Sequence, residues 1–119
     1  MGAKSGVNIM RFTPLEVEVL MDRLGLEDCY IDCFNELHAV EEIETALEVV
    51  VERVRGGEID IRKLSGLEKQ ILEESVNGSS MKLWANEEPA EVRGKYTRAF
   101  NSIETKFGVA GLTVFFPVY

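Results

Sequence analysis

The chain has 119 residues, which suits one ordinary domain and is too short for two domains with separate cores. Its residues are 45% hydrophobic and 29% charged, close to an average globular protein, so the composition favours neither a disordered chain nor a disulfide-stapled miniprotein. The net charge of −8 disfavours direct binding to nucleic acid or to anionic membranes. Residues 1–60 hold 14 acids and 5 bases, and residues 61–119 hold 7 acids and 8 bases, so the acidity belongs to the first half.

The N-terminal residues give no sign of a targeting segment. No apolar run reaches eighteen residues, and the start MGAKSGVNI lacks the apolar centre of a signal peptide, which predicts a cytoplasmic protein that does not bind membranes. The first structural signal is Thr13. We therefore expect a flexible leader over residues 1–12 and a single helical domain with a C-terminal strand over residues 13–119.

The first helix is predicted over residues 14–24 by its capping residues. Thr13 is the N-cap, Pro14 takes the first helical position, and Glu16 can reach back to the cap in a capping box. Gly25 follows, where a left-handed cap is expected. The predicted apolar stripe comprises Val17, Leu20, Met21 and Leu24.

A long helix is predicted from Glu27 to Arg55, because the stretch has no Pro or Gly and its apolar residues step by threes and fours. Glu44 interrupts the heptad positions, a break is allowed at residues 38–42, and Gly56 with Gly57 ends the helix. The predicted apolar stripe comprises Tyr30, Cys33, Leu37, Val40, Leu47, Val51 and Val54. The predicted acidic face opposite comprises Asp28, Asp32, Glu36, Glu41, Glu42, Glu48 and Glu52.

The second half contains two further helices. Residues 58–61 favour an extended segment, and a second capping box, Ser65 with Glu68, predicts a helix over residues 66–76. Residues 79–88 form a connector. A final helix begins at Pro89 and is closed by Gly108.

The C-terminal sequence GLTVFFPVY alternates β-branched and aromatic residues and predicts a strand. Its partner is residues 58–61, residues 80–84 or another chain. We favour a homodimer formed through Leu112, Val114, Phe115 and Phe116. The fold class is therefore mainly α (α+β), with about four helices and a small C-terminal β element.

Two kinds of chemical site can be considered for Cys29, Cys33 and His38. All three are candidate metal ligands, or one cysteine is a candidate nucleophile with His38 as its base. Two Cys and one His in the whole chain do not supply a four-ligand structural zinc site, and the spacing places His38 poorly as a base. We expect both cysteines to be reduced core thiols, with no metal, cofactor or catalytic site. The chain is thus expected not to be an enzyme.

Two binding hypotheses remain. Regularly spaced carboxylates can imitate a phosphate backbone and occupy a basic groove of a nucleic-acid-handling protein, although a solvated face also explains such a run. Alternatively, helices 66–76 and 89–107 form a helix-turn-helix-like DNA-binding regulator. Its recognition helix would present Arg93, Lys95, Arg98 and Lys106.

The segments LSGLEKQILEESVNGSS and RGKYTRAFNSIETKFG resemble small proteins of unassigned role encoded in bacteriophages and prophages. The resemblance covers about half of the chain and implies either antagonism of a host defence or nucleic-acid complex, or an accessory structural part of the particle. Together with the acidic first half, it favours a non-enzymatic protein-binding module that modulates a host complex through the predicted acidic face.

Overall fold

The computed structural model describes residues 8–77 and 90–112, which form five α-helices and a two-stranded sheet. The predicted mainly helical class with a small β element is confirmed, with five helices in place of about four. In the described residues the sheet is not C-terminal. The elements are β1 (Ile9–Arg11), α1 (Pro14–Leu24), α2 (Glu27–Phe34), α3 (Val40–Arg55), β2 (Glu58–Asp60), α4 (Gly66–Asn77) and α5 (Ala90–Ala110).

The sheet joins the start of the described chain to its middle. β1 and β2 pair antiparallel with Met10 opposite Ile59, and both side chains point into the core. The Phe12 amide donates to the Gly57 carbonyl at 2.9 Å, which continues the pairing beyond β1. The prediction of a flexible leader is therefore wrong for residues 9–12, because three strand residues with one buried side chain are too short to give a pattern.

The predicted boundaries of α1 are confirmed. The Thr13 amide donates to Glu16 Oε1 at 2.8 Å, and the Glu16 amide donates to Thr13 Oγ1 at 3.2 Å. Leu20 and Leu24 are buried as predicted, and Val19 is also buried. The left-handed cap is wrong: Gly25 has φ −72°, since the chain turns directly into α2.

The single long helix is wrong, because the chain breaks between α2 and α3 at residues 35–39, which overlaps the allowed break at residues 38–42 and begins three residues before it. On one continuous helix at about 100° per residue, Tyr30 and Val50 would lie about 160° apart. Both are buried, so the break lets each helix turn its own apolar face to the core. The Ala39 amide donates to Glu42 Oε1 at 2.9 Å, which satisfies the new helix start.

The break also changes the predicted apolar stripe. Leu37 is 86% exposed and Val40 is 42% exposed, so both are wrongly assigned to the core. The buried residues of α3 are Ile43, Ala46, Leu47, Val50 and Val54.

The predicted end of α3, the extended segment and the second capping box are confirmed. α3 ends at Arg55, and Gly57 has φ +81°, a left-handed conformation that admits the turn into β2. At the start of α4, the Ser65 amide donates to Glu68 Oε1 at 2.9 Å, and the Glu68 amide donates to Ser65 Oγ at 3.2 Å.

α5 continues past Gly108, which is not its end. Gly111, with φ +96°, donates to the Gly108 carbonyl at 3.1 Å, and the Leu112 amide donates to the Phe107 carbonyl at 2.9 Å. This is a Schellman motif, and Leu112 and Phe107 are both buried beside it. Three predicted features lie outside the described residues: residues 113–119 of the C-terminal strand, Pro89 and the connector over residues 79–88.

One core holds the described elements together. α3 packs on α1, α2 and α4, and α5 packs on α1, α4 and β1. The centre is formed by fully buried side chains from α1, α3, β2, α4 and α5. As a result, the outer sides of α2 and α3 remain at the surface.

Candidate functional site

All seven residues of the predicted acidic face are exposed, but they do not form one strip on one helix. Asp28 and Asp32 lie on α2, and Glu36 lies in the connection that follows. The other four lie on α3. Because the two helices turn different sides to the core, their carboxylates form two separate groups.

The larger group lies along the outer side of α3. Glu41, Glu44, Glu48 and Glu52 are exposed and fall within about 80° of one another around the helix axis, opposite buried Val50. We call these four residues the α3 acidic strip. It extends about 17 Å at about 1.5 Å per residue, with carboxylates every three or four residues.

Glu44 belongs to this strip but was absent from the predicted acidic face. The sequence pattern assigned it to the apolar stripe as an interruption. The unbroken helical spacing of Glu41, Glu44, Glu48 and Glu52 was the signal that could have identified it.

An exposed apolar corner adjoins the α3 acidic strip. Leu37, in the α2–α3 connection, is 86% exposed, and Val40, the first residue of α3, is 42% exposed. Acidic residues flank them in the chain, with Glu36 before Leu37 and Glu41 after Val40. We call Leu37 and Val40 the apolar corner. An exposed leucine among carboxylates combines an anchor for apolar contact with a charged surround.

An open groove of about 490 Å³ runs between the N-terminal parts of α3 and α4. Its lining includes Glu41, Glu42, Glu68 and His38. Glu42 and Glu68 each use one oxygen in the capping of their own helix. The groove therefore extends the negative surface from the outer side of α3 towards α4.

Arginines limit the acidity at the C-terminal end of α3. Arg55 Nη1 lies 2.6 Å from Glu52 Oε2, and Arg53 is exposed nearby in sequence. Acids near the start and arginines near the end of a helix both stabilise it through the helix dipole. The unopposed negative charge is therefore concentrated over Glu41, Glu44 and Glu48.

The basic helix of the DNA-binding hypothesis is only partly available. Lys95 and Arg98 are exposed on α5, but Lys106 turns towards α1. Lys106 Nζ donates to Glu16 Oε1 at 2.6 Å and to the Arg11 carbonyl at 2.7 Å. This cation thus joins α5 to α1 and β1, and the side chain of Arg93 lies outside the described part.

The expectation that Cys29 and Cys33 are core thiols is wrong, because both are exposed on α2. Partial desolvation of its sulfur raises the pKa of Cys33, and Glu74 beside it raises the pKa further, which reduces the thiolate fraction. His38 is half-buried in the α2–α3 connection. Within residues 8–77 and 90–112, no group of three or more metal-ligating side chains lies close enough to hold a metal ion.

The residues predicted to form a homodimer are only partly described. Leu112 is 6% exposed and buried against its own chain at the end of α5, so it is wrongly assigned to a dimer contact. Val114, Phe115 and Phe116 lie outside the described residues.

Comparison with protein-family models, with curated proteins and with solved structures gave no match. Among the described helices, none has a stretch long and apolar enough to cross a membrane. The α3 acidic strip, together with the apolar corner and the acidic groove towards α4, is the candidate functional site of the described residues.

Proposed function

We propose that this chain is a non-enzymatic module that binds another protein through the α3 acidic strip and the apolar corner beside it. The main support is the coincidence of the α3 acidic strip with the apolar corner, where Leu37 is 86% exposed. Carboxylates on that surface steer a basic partner towards it, and the exposed leucine and valine supply the apolar contact.

The partner in this proposal is the basic groove of a nucleic-acid-handling or defence complex in a bacterial host. Four carboxylates over about 17 Å give a lower charge density than one DNA strand, which carries a phosphate about every 3.4 Å along the axis. The acidic groove beside α4 adds charge on one side of the strip. The resemblance to small phage and prophage proteins favours a modulator of such a complex, located in the cytoplasm.

The test is a charge reversal on α3 with a matched reversal elsewhere. Glu41→Lys with Glu48→Lys changes one first-turn acid and one exposed mid-helix acid, neither with a hydrogen bond among the described residues. The control, Glu27→Lys with Asp22→Lys, also changes a first-turn acid and an exposed helical acid, on α2 and α1. Both variants alter the net charge equally.

The immobilised full chain is exposed to bacterial lysate, and proteins that a DNA duplex elutes are identified by mass spectrometry. We expect the wild type and the control to retain a nucleic-acid-binding protein. The amount retained should fall at least about tenfold with the α3 reversal. Circular dichroism checks that each variant is folded. Unchanged retention by the folded α3 variant contradicts the proposal.

A further inference from the structure

Two thiols lie on the same exposed side of α2. Cys29 and Cys33 are both free and exposed, and they are four residues apart on the helix. Side chains at this spacing are neighbours, with Cβ atoms about 5–6 Å apart. Partial desolvation and Glu74 raise the pKa of Cys33, and the charge of Cys29 raises it further, as expected for sulfurs that lie close to each other.

The two thiols are poorly placed to form a disulfide with each other. A disulfide requires Cβ atoms about 3.5–4.5 Å apart, which is shorter than the separation of residues one helical turn apart. Closing that bond would therefore distort α2. A metal ion between the two sulfurs spans the longer distance, so it leaves the helix intact.

The number of available ligands selects the metal. Among the described residues, no third Cys, His, Asp or Glu side chain lies close enough to complete a larger metal site with the two thiols. Structural zinc takes four ligands, and calcium and magnesium take several oxygen ligands. Copper(I) is a soft ion that prefers thiolates, and two thiolates can hold it in a linear arrangement. A pair of sulfurs one helical turn apart therefore suits copper(I) and not these other ions.

We propose that Cys29 and Cys33 form a two-thiolate site for copper(I). Each S–H bond breaks and each sulfur forms a bond to the ion, so two protons leave and no group is oxidised or reduced. Asp28 and Asp32, exposed on the same helix, attract the cation. The sequence-based expectation of no metal rested on buried thiols and on a four-ligand zinc site, and neither describes this exposed pair. The site does not depend on the proposed protein binding through the α3 acidic strip.

Both ligands come from one short helix, which favours a site within a single chain. Once one thiolate holds the ion, the second reaches it without a further loss of translational freedom. Linking two binding groups in this way raises the affinity by about 10²–10⁴ over that of one group. Monothiols such as glutathione lack this advantage, so the pair can take copper(I) from them.

The experiment titrates the full chain with copper(I) under anaerobic conditions, in competition with bicinchoninate, whose copper(I) complex is coloured. Cys29→Ser and Cys33→Ser each leave one thiol. The matched control, Glu27→Cys with Cys33→Ser, keeps two thiols on α2 but places them about 160° apart around the helix axis. Circular dichroism checks that each variant is folded.

We expect the wild type to bind one copper(I) per chain, with no change in its sedimenting mass. Each single variant and the control with separated thiols should bind at least about 100-fold more weakly. Binding by a single variant that equals the wild type overturns the proposal, as does tight binding by the control or no binding by the wild type. A mass that doubles on adding copper(I) also overturns it and assigns the ion to thiols of two chains.

Discussion

The ion pair between α1 and α5 allows a quantitative test of how the fold is held together. Glu16 is 3% exposed and has two roles, since the same carboxylate caps α1 and accepts from Lys106 at 2.6 Å. Burial by itself raises the pKa of Glu16, but hydrogen bonds from Lys106, Ser102 and Thr13 outweigh it and lower the pKa below 4.5. Glu16 is thus ionised at neutral pH and depends on its donors.

Lys106→Met removes the cation and keeps most of the aliphatic stem. Loss of one partner of a buried ion pair costs about 3–5 kcal/mol. The side chain of Lys106 is 32% exposed, and the Thr13 amide still donates to Glu16, so the pair is only partly desolvated. We therefore expect a loss of about 2–3 kcal/mol in the free energy of unfolding at pH 7.

The pH dependence separates charge from packing. In the wild type, the stabilisation by Glu16 is present above the ordinary pKa of 4.5 and is lost as pH falls through the lowered native value. In Lys106→Met, the hydrogen bond and charge of Lys106 no longer oppose the burial of Glu16, so the pKa of Glu16 rises. The penalty of the variant should therefore shrink as pH falls from 7 to 4, because protonation removes the unpaired charge.

Urea unfolding followed by circular dichroism at pH 7 and pH 4 measures both effects. Lys95→Met is the control, because Lys95 is exposed on the same helix, and it should change stability by less than about 0.5 kcal/mol. Glu16→Gln combined with Lys106→Met should lose less than the sum of the single changes. A Lys106→Met penalty equal at both pH values, or no larger than that of Lys95→Met, refutes the reasoning.

Three further predictions concern single side chains. Glu104 is 3% exposed, and burial raises its pKa, so the ionised carboxylate destabilises the fold increasingly as pH rises above 4.5. Glu104→Gln should therefore stabilise the protein by about 1 kcal/mol at pH 7 and not at pH 4, as measured by urea unfolding. Gly108 lies inside α5 with open space around it, so Gly108→Ala should raise the melting temperature, with a gain of about 0.5–1 kcal/mol. Gly111 has φ +96°, so Gly111→Ala should lower the melting temperature. The opposite order of these two effects would restore Gly108 as the helix end. Cys29→Ser with Cys33→Ser should change the unfolding free energy by less than about 0.5 kcal/mol, and a loss of several kcal/mol would show that the thiols are packed.

Features that depend on neighbours within about four residues could be predicted from the sequence alone. The capping boxes of Thr13 with Glu16 and Ser65 with Glu68 set two helix starts, and Gly57 sets the turn after α3. These interactions form between residues adjacent in the chain, so their chemistry is visible in the sequence. The exposure of the seven predicted acids followed in the same way, because ionised carboxylates are costly to bury and stay in water.

Which side of each helix faces the core depends on long-range packing and could not be predicted from local patterns. Apolar residues spaced three and four apart from Tyr30 onwards fit one continuous stripe that includes Leu37. In the structure, packing against α1 and α4 instead requires the chain to break, which leaves Leu37 at the surface. The direction of the core also leaves Glu44 exposed on the outer side of α3, where it belongs to the α3 acidic strip. Lys106 pairs with Glu16 across 90 positions of sequence, a contact that no local pattern reveals. Each of these outcomes depends on the direction of the shared core, which is fixed jointly by all the packed elements and not by any one segment.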